Sequence, residues 1–381
     1  MRLLHTSDWH VGRTFHGRDL LREQESVLGG LADLVADERV DVVVVAGDLF
    51  DRAVPNAEAV AVCSRVLRRV REAGARIVVT PGNHDSAARL GFLGAFTEAG
   101  GLHLRTRAAE LHDPVLFADA HGPVAVYGIP FLEPETARHA LGVPDARGHA
   151  GVLTEAMRRV REDLAGRPGT RSVVLAHAFV TGGEPCESER TIAVGGVQDV
   201  SGSVFAGVDY AALGHLHGQQ TLADHLRYSG SPVAYSFSEA RHHKQVWLVE
   251  LDAGGLAGVE RRSLPVPRAL STLGGELEEL LLEPAHEAVA DHFLSVTLTD
   301  RVRPLDALRR LQARFPHAVH VEWRPAGGRT GELRFAERVR GRSDEEVACC
   351  FVEDVRGDRP GDRELALLRE AFAAAAREGD S

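Results

Sequence analysis

A chain of 381 residues with 44% hydrophobic and 26% charged residues has the composition of a globular protein and is long enough for two or more domains. Its formal net charge of -11 argues against coating nucleic acid with the whole surface, although a local groove for nucleic acid stays compatible with it. No apolar run approaches the length of a membrane span, and the N-terminus enters a strand at once, so we expect a cytoplasmic protein.

The first 135 or so residues alternate between predicted strands and helices. Strands are predicted at Leu3–Ser7, Val42–Ala46 and Ile77–Thr80, and helices over Asp19–Asp37 and Asn56–Glu72. This βαβαβ order is typical of a largely parallel sheet.

From about residue 115 to 260 the pattern changes to short strands, with one amphipathic helix over Gly151–Leu164. The late segments YAALGH, LRYSGS and QVWLVEL suggest a second sheet packed on the first. We therefore predict an α/β fold in which two sheets form a sandwich flanked by helices over residues 1–265.

The alternation breaks near Pro265, where we place a domain boundary. The segments HFLSVTLTD and HAVHVEW, with a helix over Leu305–Phe315 between them, predict a small α+β domain at residues 266–340. Residues 341–381 predict two helices, and the first of them begins at a capping box formed by Ser343 and Glu346.

Five predicted strands of the first domain end in side chains that can bind metal. These side chains are Asp8, His10, Asp48, Asn83, His84, His177, His215 and His217. In open α/β sheets, binding sites form in the crevice beyond the carboxyl ends of the strands. We therefore expect the eight side chains to meet in one site.

Hydrolysis of a phosphodiester needs an activated water and positive charge on the phosphate, and two neighbouring divalent metals supply both. Two metals held close together need a bridging carboxylate. Asp48 suits that role because it follows a run of four valines and Gly47, which leaves room for close approach. Asp8 and His10 stand two apart on what we expect to be extended backbone, so that both face one metal, and His215 and His217 repeat this spacing.

Each of these motifs also has an ordinary structural reading. A lone D-x-H or H-x-H arises easily in a chain with 19 histidines. Asp8 could cap a helix, Asp48 could be a turn residue, and the segment around Asn83 has ordinary turn composition. The metal-site interpretation depends on the order of all five clusters and on their places at strand ends.

The order D-x-H, G-D-x-x-D, G-N-H-D, a lone strand-end histidine and G-H-x-H resembles the signature of the calcineurin-like metallophosphoesterases. The flanking segments LHTSDWHVG, GDLFD, PGNHDS, AHAFVTGG and YSGSPVAYSF are similar to those of the SbcD-type nuclease subunits of bacteria. The similarity extends over residues 1 to about 250. The later part of the chain resembles that family only in its order of a small domain followed by terminal helices.

The resemblance implies a set of roles for the site. One metal is held by Asp8, His10, Asp48 and His217, and a second by Asp48, Asn83, His177 and His215. His84 is then a histidine that binds no metal and protonates or stabilises the leaving sugar oxygen. The metal of that family is manganese, with magnesium as the alternative. The ligand types alone leave zinc and iron open as well.

Four further positions have weaker signals. Asp51 completes the G-D-x-x-D motif, where it either orients a ligand histidine or caps a turn. Asp85 could support His84, but neighbours in sequence seldom face each other, so a surface position or a capping role is favoured. His5 is expected to be buried structure. Arg241–Lys244 is interpreted as a solvated hairpin tip in preference to a phosphate contact.

The resemblance also implies the substrate and the partners. The substrate is DNA, cut by 3′-to-5′ exonuclease and by single-strand or hairpin endonuclease activity in repair and recombination, which implies association with the nucleoid. A homodimer forms through helices at about Asn56–Val70 and Arg89–Thr97, residues 266–340 cap the DNA, and the terminal helices dock an SMC-like ATPase of the SbcC type.

Two alternatives stay open. A phosphoesterase for small molecules would use the same metals but does not need the residues after Pro265, and a scaffold with decayed catalysis would not need all eight site residues.

Between Arg301 and Arg342 there are eleven arginines against four acidic residues, which predicts either ion pairs within the domain or contact with phosphates.

Overall fold

The computed structural model of the chain describes residues 1–92, 94–189, 200–325, 341–356 and 358–379. The chain divides into two units, Met1–Arg268 and Ala269–Ser381. In the part of the chain that is described, no helix is both long enough and apolar enough to cross a membrane.

The strands described in the first unit are β1 (Arg2–Thr6), β2 (Thr14–Phe15), β3 (Arg18–Asp19), β4 (Val42–Ala46), β5 (Arg76–Thr80), β6 (Leu102–Leu104), β7 (Val115–Asp119), β8 (Gly122–Ile129), β9 (Arg171–His177), β10 (Tyr210–Gly214), β11 (Gln220–Ala223), β12 (Leu226–Tyr228), β13 (Gln245–Asp252) and β14 (Gly255–Ser263). The α-helices described there are α1 (Leu21–Glu38), α2 (Ala57–Glu72), α3 (Ala87–Leu90), α4 (Gly94–Ala99), α5 (Pro134–Ala140) and α6 (Gly148–Ala165).

Two six-stranded sheets build this unit. The first has the order β14-β13-β1-β4-β5-β6, in which β1, β4, β5 and β6 are parallel. The second has the order β11-β12-β10-β9-β8-β7, in which β8, β9, β10 and β12 are parallel. Because the parallel strands of each sheet end along one edge, the residues that follow them are brought together there.

Strand β4 shows how the sandwich is packed. Successive side chains of a strand point to opposite faces, so its four valines divide between two cores. Val42 and Val44 pack between the two sheets, against residues such as Leu175 of β9. Val43 and Val45 pack on the other face, against α1 and α2. Burial on both faces explains the unbroken apolar run of the strand.

The predicted α/β sandwich of two sheets is confirmed, but one strand was assigned to the wrong sheet. The segments YAALG and LRY do lie in the second sheet, as β10 and β12. The segment QVWLVEL is β13, which pairs antiparallel with β1 in the first sheet. Its Trp247 and Val249 face the core between the sheets, while Val246 and Leu248 face the helices. A strand buried on both faces carries no local sign of which sheet it joins.

The second unit contains a parallel three-stranded sheet, β15 (Leu270–Gly275), β16 (Phe293–Leu298) and β17 (Ala318–Trp323). The α-helices described there are α7 (Leu277–Leu282), α8 (Ala307–Arg314), α9 (Asp344–Arg356) and α10 (Asp362–Gly379). The β-α-β element β16-α8-β17 is present as predicted, around a core that includes Val296 and Leu311.

The start of α9 is also as predicted. The side chain of Glu346 accepts the backbone N–H of Ser343 at 2.8 Å, and the Ser343 hydroxyl accepts the backbone N–H of Glu346 at 3.4 Å. This reciprocal pair is a capping box, which satisfies donors that the first turn of a helix leaves unpaired.

Candidate metal centre

The predicted site residues lie at the carboxyl ends of β1, β4, β5, β9 and β10, in the first unit. All of them are buried except Asn83, which is partly exposed. Burial of this many ionisable side chains is unusual, because moving an unpaired charge out of water costs roughly several kcal/mol. The side chains must therefore satisfy one another or a bound ion.

The backbone of the site differs from the extended conformation that we expected. Asp8, His10 and Asp48 have φ of 53°, 44° and 51°, and His215 has φ of 107°. Positive φ is uncommon for residues with a Cβ atom, and such strain concentrates at functional sites. The chain therefore turns sharply at these positions, after the strands have ended, and the turn aims the side chains at one point.

Hydrogen bonds between loops hold these turns. The backbone N–H of Asp8 donates to the carbonyl of Gly47 at 3.1 Å, and that of His10 donates to the carbonyl of Asp48 at 2.9 Å. Gly47 has φ of 88°, and a Cβ atom added there would overlap the imidazole of His177. The close approach expected at Gly47 is confirmed, because only glycine lets the ring of His177 pack against this loop.

Asp48 occupies the middle of the centre. Its Oδ2 atom lies 3.5 Å from Nε2 of His10, 3.4 Å from Nε2 of His177 and 3.9 Å from Nε2 of His84. Its Oδ1 atom accepts the backbone N–H of His84 at 2.8 Å. One carboxylate oxygen thus faces three imidazole nitrogens that come from three different loops.

Asp8, His10 and His217 form one group with ligand atoms within 4.8 Å of one another. Nε2 of His10 lies 3.1 Å from Nε2 of His217. The Asp8 carboxylate accepts the hydroxyl of Ser7 at 2.5 Å and the backbone N–H of His215 at 3.0 Å. These bonds fix the carboxylate.

His177 joins Asp8 and Asp48 in a second group with ligand atoms within 4.8 Å of one another. Because the carbonyl of Ala46 can only accept, Nδ1 of His177 donates to it at 3.1 Å. Nε2 of the neutral ring therefore keeps its lone pair, and it faces Oδ1 of Asn83 at 2.9 Å. The ring of His215 lies beside that of His177, with 5.3 Å between centroids.

The charge states of the site follow from its burial. Burial lowers the pKa of His10 and His215 far below the ordinary value for imidazole, lowers that of His177 to about 4, and also lowers that of His217. Burial, with Asp48 nearby, raises the pKa of Asp8 well above its usual range. At neutral pH the rings are uncharged and offer lone pairs, which is the form in which histidine binds metal.

This donor set fits divalent cations. Nε2 of His177 and Oδ1 of Asn83 face each other with lone pairs, because the hydrogen of His177 is on Nδ1. Nε2 of His10 faces Nε2 of His217, and the hydrogen of neutral His10 lies either between these two atoms or on Nδ1, which has no hydrogen-bond partner among the described residues. A cation among these nitrogen and oxygen atoms would bind their lone pairs and would keep Asp8 and Asp48 ionised side by side. Imidazole, carboxylate and amide donors are compatible with several transition metals.

His84 is oriented by the chain itself. Its Nδ1 donates to the backbone carbonyl of Asp51 at 2.8 Å, so Nε2 points towards Oδ2 of Asp48. His10, Asp48 and His84 also satisfy the distance criterion for a metal group, within 4.8 Å. Distances alone therefore do not separate His84 from the ligands.

Asp51 and Asp85 are the two carboxylates for which the sequence left the role open. Asp85 caps backbone N–H groups, one of the roles expected for it: its carboxylate accepts those of Gly82, Leu49 and Phe50 at 2.9 to 3.0 Å. It thereby ties the loop of Asp48 to the loop of His84. The Asp51 carboxylate lies 3.8 Å from Nδ1 of His10, beyond hydrogen-bond distance.

The interpretation of Arg241–Lys244 as a solvated hairpin tip is wrong for Lys244. Its side chain is buried, and Nζ donates to Oε2 of Glu239 at 2.5 Å. Composition suggested a turn and did not reveal an ion pair in the interior. His5 is buried structure as expected, hydrogen-bonded to the hydroxyl of Tyr210 at 2.9 Å and the carbonyl of Leu213 at 3.1 Å.

Several residues behind the centre were missed in the sequence. Gln24 of α1 donates from Nε2 to the carbonyl of His10 at 2.8 Å and accepts the N–H of Gly12 at 3.0 Å. Glu189 accepts the backbone N–H of His217 at 2.7 Å. Ser188 and Glu239 stand behind the ring of His217. They lie in three segments that are far apart in the sequence, and they share no spacing that would have marked them.

In the second unit, the described arginines of the stretch from 301 to 342 are largely engaged within the unit. Five of them form ion pairs, in the combinations Arg301 with Asp358, Arg309 with Asp306, Arg310 with Glu278, Arg314 with Glu287 and Arg324 with Glu322. Arg314 donates to the carbonyls of Leu280 and Glu283. Arg329, Arg334, Arg338 and Arg340 lie outside the described residues.

Comparisons with known proteins agree with the geometry. Residues 1–219 match the family described as calcineurin-like phosphoesterase, and residues 266–356 match the family described as type 5 capsule protein repressor C-terminal domain. Over 398 residues, covering 100% of both chains, the sequence is 33% identical to SbcD of the nuclease SbcCD from Bacillus subtilis.

Solved structures also match the chain, among them two of low sequence identity. GAP50, the anchor in the inner membrane complex of Plasmodium, aligns with a TM-score of 0.41 and 12% identity over 87% of this chain and 99% of its own. A dimetal phosphatase from Danio rerio aligns with a TM-score of 0.39 and 14% identity over 69% and 98%. Both superpositions are too loose to bear on function.

Proposed function

Because the chain belongs to the calcineurin-like phosphoesterases and, among them, to the SbcD family of nucleases, it is a metal-dependent hydrolase, and we propose that it is the manganese-dependent DNA nuclease subunit of an SbcCD-type repair and recombination complex. The observation that carries the proposal is the convergence of His10, His84 and His177 on one oxygen of Asp48. We further propose 3′-to-5′ exonuclease activity on duplex ends and endonuclease activity on single strands and hairpins.

Two manganese ions are the proposed cofactors, with magnesium as a substitute. Asp8, His10, Asp48 and His217 would hold one ion, and Asp48, Asn83, His177 and His215 the other. The grouping of Asp8 with His10 and His217, and that of Asp48 with His177, support this division. When bound, the ions would supply an acidified water and positive charge against the phosphodiester.

The residues of the chain have separate tasks in this proposal. Asp48 would contribute its carboxylate to both ions. Asp85 holds the loop of Asp48 against the loop of His84. With Nδ1–H of His84 donated to the Asp51 carbonyl, Nε2 is the nitrogen that takes up a second hydrogen, and in the protonated ring it holds a transferable proton. We propose that Nε2 donates this proton to the sugar oxygen that leaves the phosphate.

A homodimer is proposed through α2 and the segment from α3 to α4. Two large apolar side chains support this: Phe92 is 75% exposed and Phe96 is 78% exposed. Leu93 between them lies outside the described residues. Large exposed apolar side chains so close together are typical of a surface that another protein covers.

The second unit is proposed to serve the substrate and a partner. Residues 266–340 would cap the DNA, and α9 and α10 would dock an SMC-like ATPase of the SbcC type. Phe351 of α9 and Leu367 of α10 are exposed, which suits docking of another chain. The ion pairs of the described arginines leave less free positive charge for phosphate contact than their number suggests.

One experiment separates a DNA nuclease from a phosphoesterase for small molecules. The purified chain is incubated with manganese and either end-labelled duplex DNA or an aryl phosphate ester, with an Asp48→Ala variant as control. We expect cutting of the duplex by the wild type and none by the variant. Turnover of the ester without cleavage of DNA would contradict the proposed substrate.

A further inference from the structure

The chain has 44 lysines and arginines, and Lys244 is the only lysine among them. It is 6% exposed and lies behind the metal centre. Its Nζ donates to Oε2 of Glu239 at 2.5 Å, to the hydroxyl of Ser231 at 2.9 Å and to the carbonyl of His217 at 3.2 Å. Three acceptors thus surround an ammonium group that has three donors.

Glu239 is the carboxylate of this buried pair. Its Oε1 atom accepts the hydroxyl of Ser188 at 2.6 Å and the backbone N–H of Tyr235 at 3.1 Å. Burial alone would raise the pKa of Glu239, but Lys244 beside it keeps that pKa below the usual range. Glu239 is therefore ionised, and both of its oxygens are occupied as acceptors.

Ser188 connects this pair to the metal centre. Its hydroxyl has a single hydrogen, which it donates to Glu239, so its oxygen must accept the Nδ1–H of His217 at 2.6 Å. The neutral ring then carries its lone pair on Nε2, the atom that faces Nε2 of His10. The chain of bonds from Lys244 through Glu239 and Ser188 thus selects both the tautomer and the direction of the ring.

We propose that Ser188, Glu239 and Lys244 are positioning residues that orient His217 towards one of the two metals, an inference that rests on the proposed role of His217 as a ligand. Metal-binding histidines commonly donate their second ring nitrogen to a carboxylate or carbonyl. Here a serine hydroxyl lies between the ring and the carboxylate.

The same geometry explains the choice of lysine. Lys244 both neutralises the buried carboxylate and holds the backbone of His217. A compact ammonium reaches three acceptors that lie in different directions, whereas a guanidinium presents its donors in one plane. A chain that uses arginine elsewhere therefore keeps a lysine at this position.

The test is calorimetric titration of the metal-free full-length chain with Mn²⁺. Ser188→Ala removes the link to His217, and Lys244→Met removes the charge behind it. The matched controls are Ser172→Ala, a buried hydroxyl hydrogen-bonded to Asp209, and Arg171→Met, a buried cation paired with Asp119. Both controls lie at the end of β9 opposite His177.

Wild-type protein should show two binding steps. In Ser188→Ala and Lys244→Met one step should weaken by about ten- to a hundredfold, the effect usual for loss of a residue that orients a ligand, while the other step keeps its affinity. The controls should keep both. Thermal unfolding without metal should confirm that the variants are folded. If Lys244→Met does not fold, Glu239→Gln takes its place in the titration.

Three results would overturn the inference. Unchanged affinity of both steps in Ser188→Ala and Glu239→Gln would show that His217 needs no such support. Equal weakening of both steps, with the same loss in the controls, would show only a role in stability. Failure of the wild type to bind two ions would reject the proposed metal centre itself, and the inference with it.

Discussion

The Nε2 atoms of His10 and His217 lie 3.1 Å apart in the interior of the first unit, and burial lowers the pKa of both rings. Since Nδ1 of His217 carries its hydrogen towards Ser188, Nε2 of that ring presents a bare lone pair to His10. That lone pair is satisfied either by a hydrogen on Nε2 of His10 or by a cation shared between the two rings. The hydrogen bond would leave the buried Nδ1 of His10 without a hydrogen and without a hydrogen-bond partner among the described residues, and the cation would release the hydrogen to Nδ1.

The first prediction concerns Asp48, whose Oδ2 atom lies near His10 of one proposed ligand set and near His177 of the other. Asp48→Ala should abolish both Mn²⁺ binding steps in calorimetry, because it removes the shared carboxylate and leaves the remaining ligands without a bridge. Asp33→Ala, which changes an exposed carboxylate on α1, is the control and should bind as the wild type does. Retention of either step at full affinity in Asp48→Ala would speak against a shared ligand.

The second prediction concerns His84. If Nε2 supplies the proton to the leaving oxygen, His84→Gln should lower the rate of DNA cleavage by about 10²- to 10⁴-fold while both metal-binding steps persist. Rate and binding are measured on the same preparation. Loss of a binding step together with the rate would make His84 a ligand, and an unchanged rate would remove it from the reaction.

The third prediction concerns Asp85, whose carboxylate accepts three backbone N–H groups from two loops. Asp85→Asn replaces one acceptor oxygen by a donor, so at least one N–H group loses its partner. We expect the free energy of unfolding to fall by about 1 to 3 kcal/mol, with weaker metal binding as the loops of Asp48 and His84 separate. Urea unfolding measures the first effect. Wild-type stability in the variant would show that these bonds are not needed.

The fourth prediction is a pH dependence far from the centre. Arg171 and the N-terminal amine hold the pKa of the Asp119 carboxyl below its usual range. A carboxyl group with a depressed pKa contributes stability above its unfolded pKa of about 4, and that contribution is lost as the pH falls through the folded pKa.

Asp119→Asn should therefore lower the free energy of unfolding at pH 7, by about 3 kcal/mol, because it leaves Arg171 buried without its charged partner. The difference from the wild type should shrink as the pH falls below 4. Urea unfolding at pH 7 and pH 3 measures it. A difference that stays the same at both pH values would contradict the ion pair as its source.

Much of the first unit could be predicted from local patterns. Strand β4 is a run of valines that ends at Gly47 and Asp48, and such a run has few readings other than a buried strand with a loop behind it. The parallel order of the strands then brings Asp48 to the same edge as His177 and His215. The division of eight residues between ligands and a proton donor came from resemblance to a family, and the distances do not decide it.

What could not be predicted depends on contacts between distant segments. Ser188 is distant in the sequence from Glu239 and Lys244, which share the connection between β12 and β13, and each of the three has an ordinary local context. The turns at Asp8 and His10 depend on hydrogen bonds to the loop of Asp48, so local spacing suggested extended backbone in their place. The partners, the dimer and the DNA-capping role of the second unit remain proposals.

The most direct test of the two-metal centre is anomalous X-ray scattering from crystals of the full chain grown with Mn²⁺. The account predicts two anomalous peaks, one beside Asp8, His10 and His217, the other beside Asn83, His177 and His215, with Asp48 between them and His84 bound to neither. A single peak, or a peak bound by His84, would contradict it.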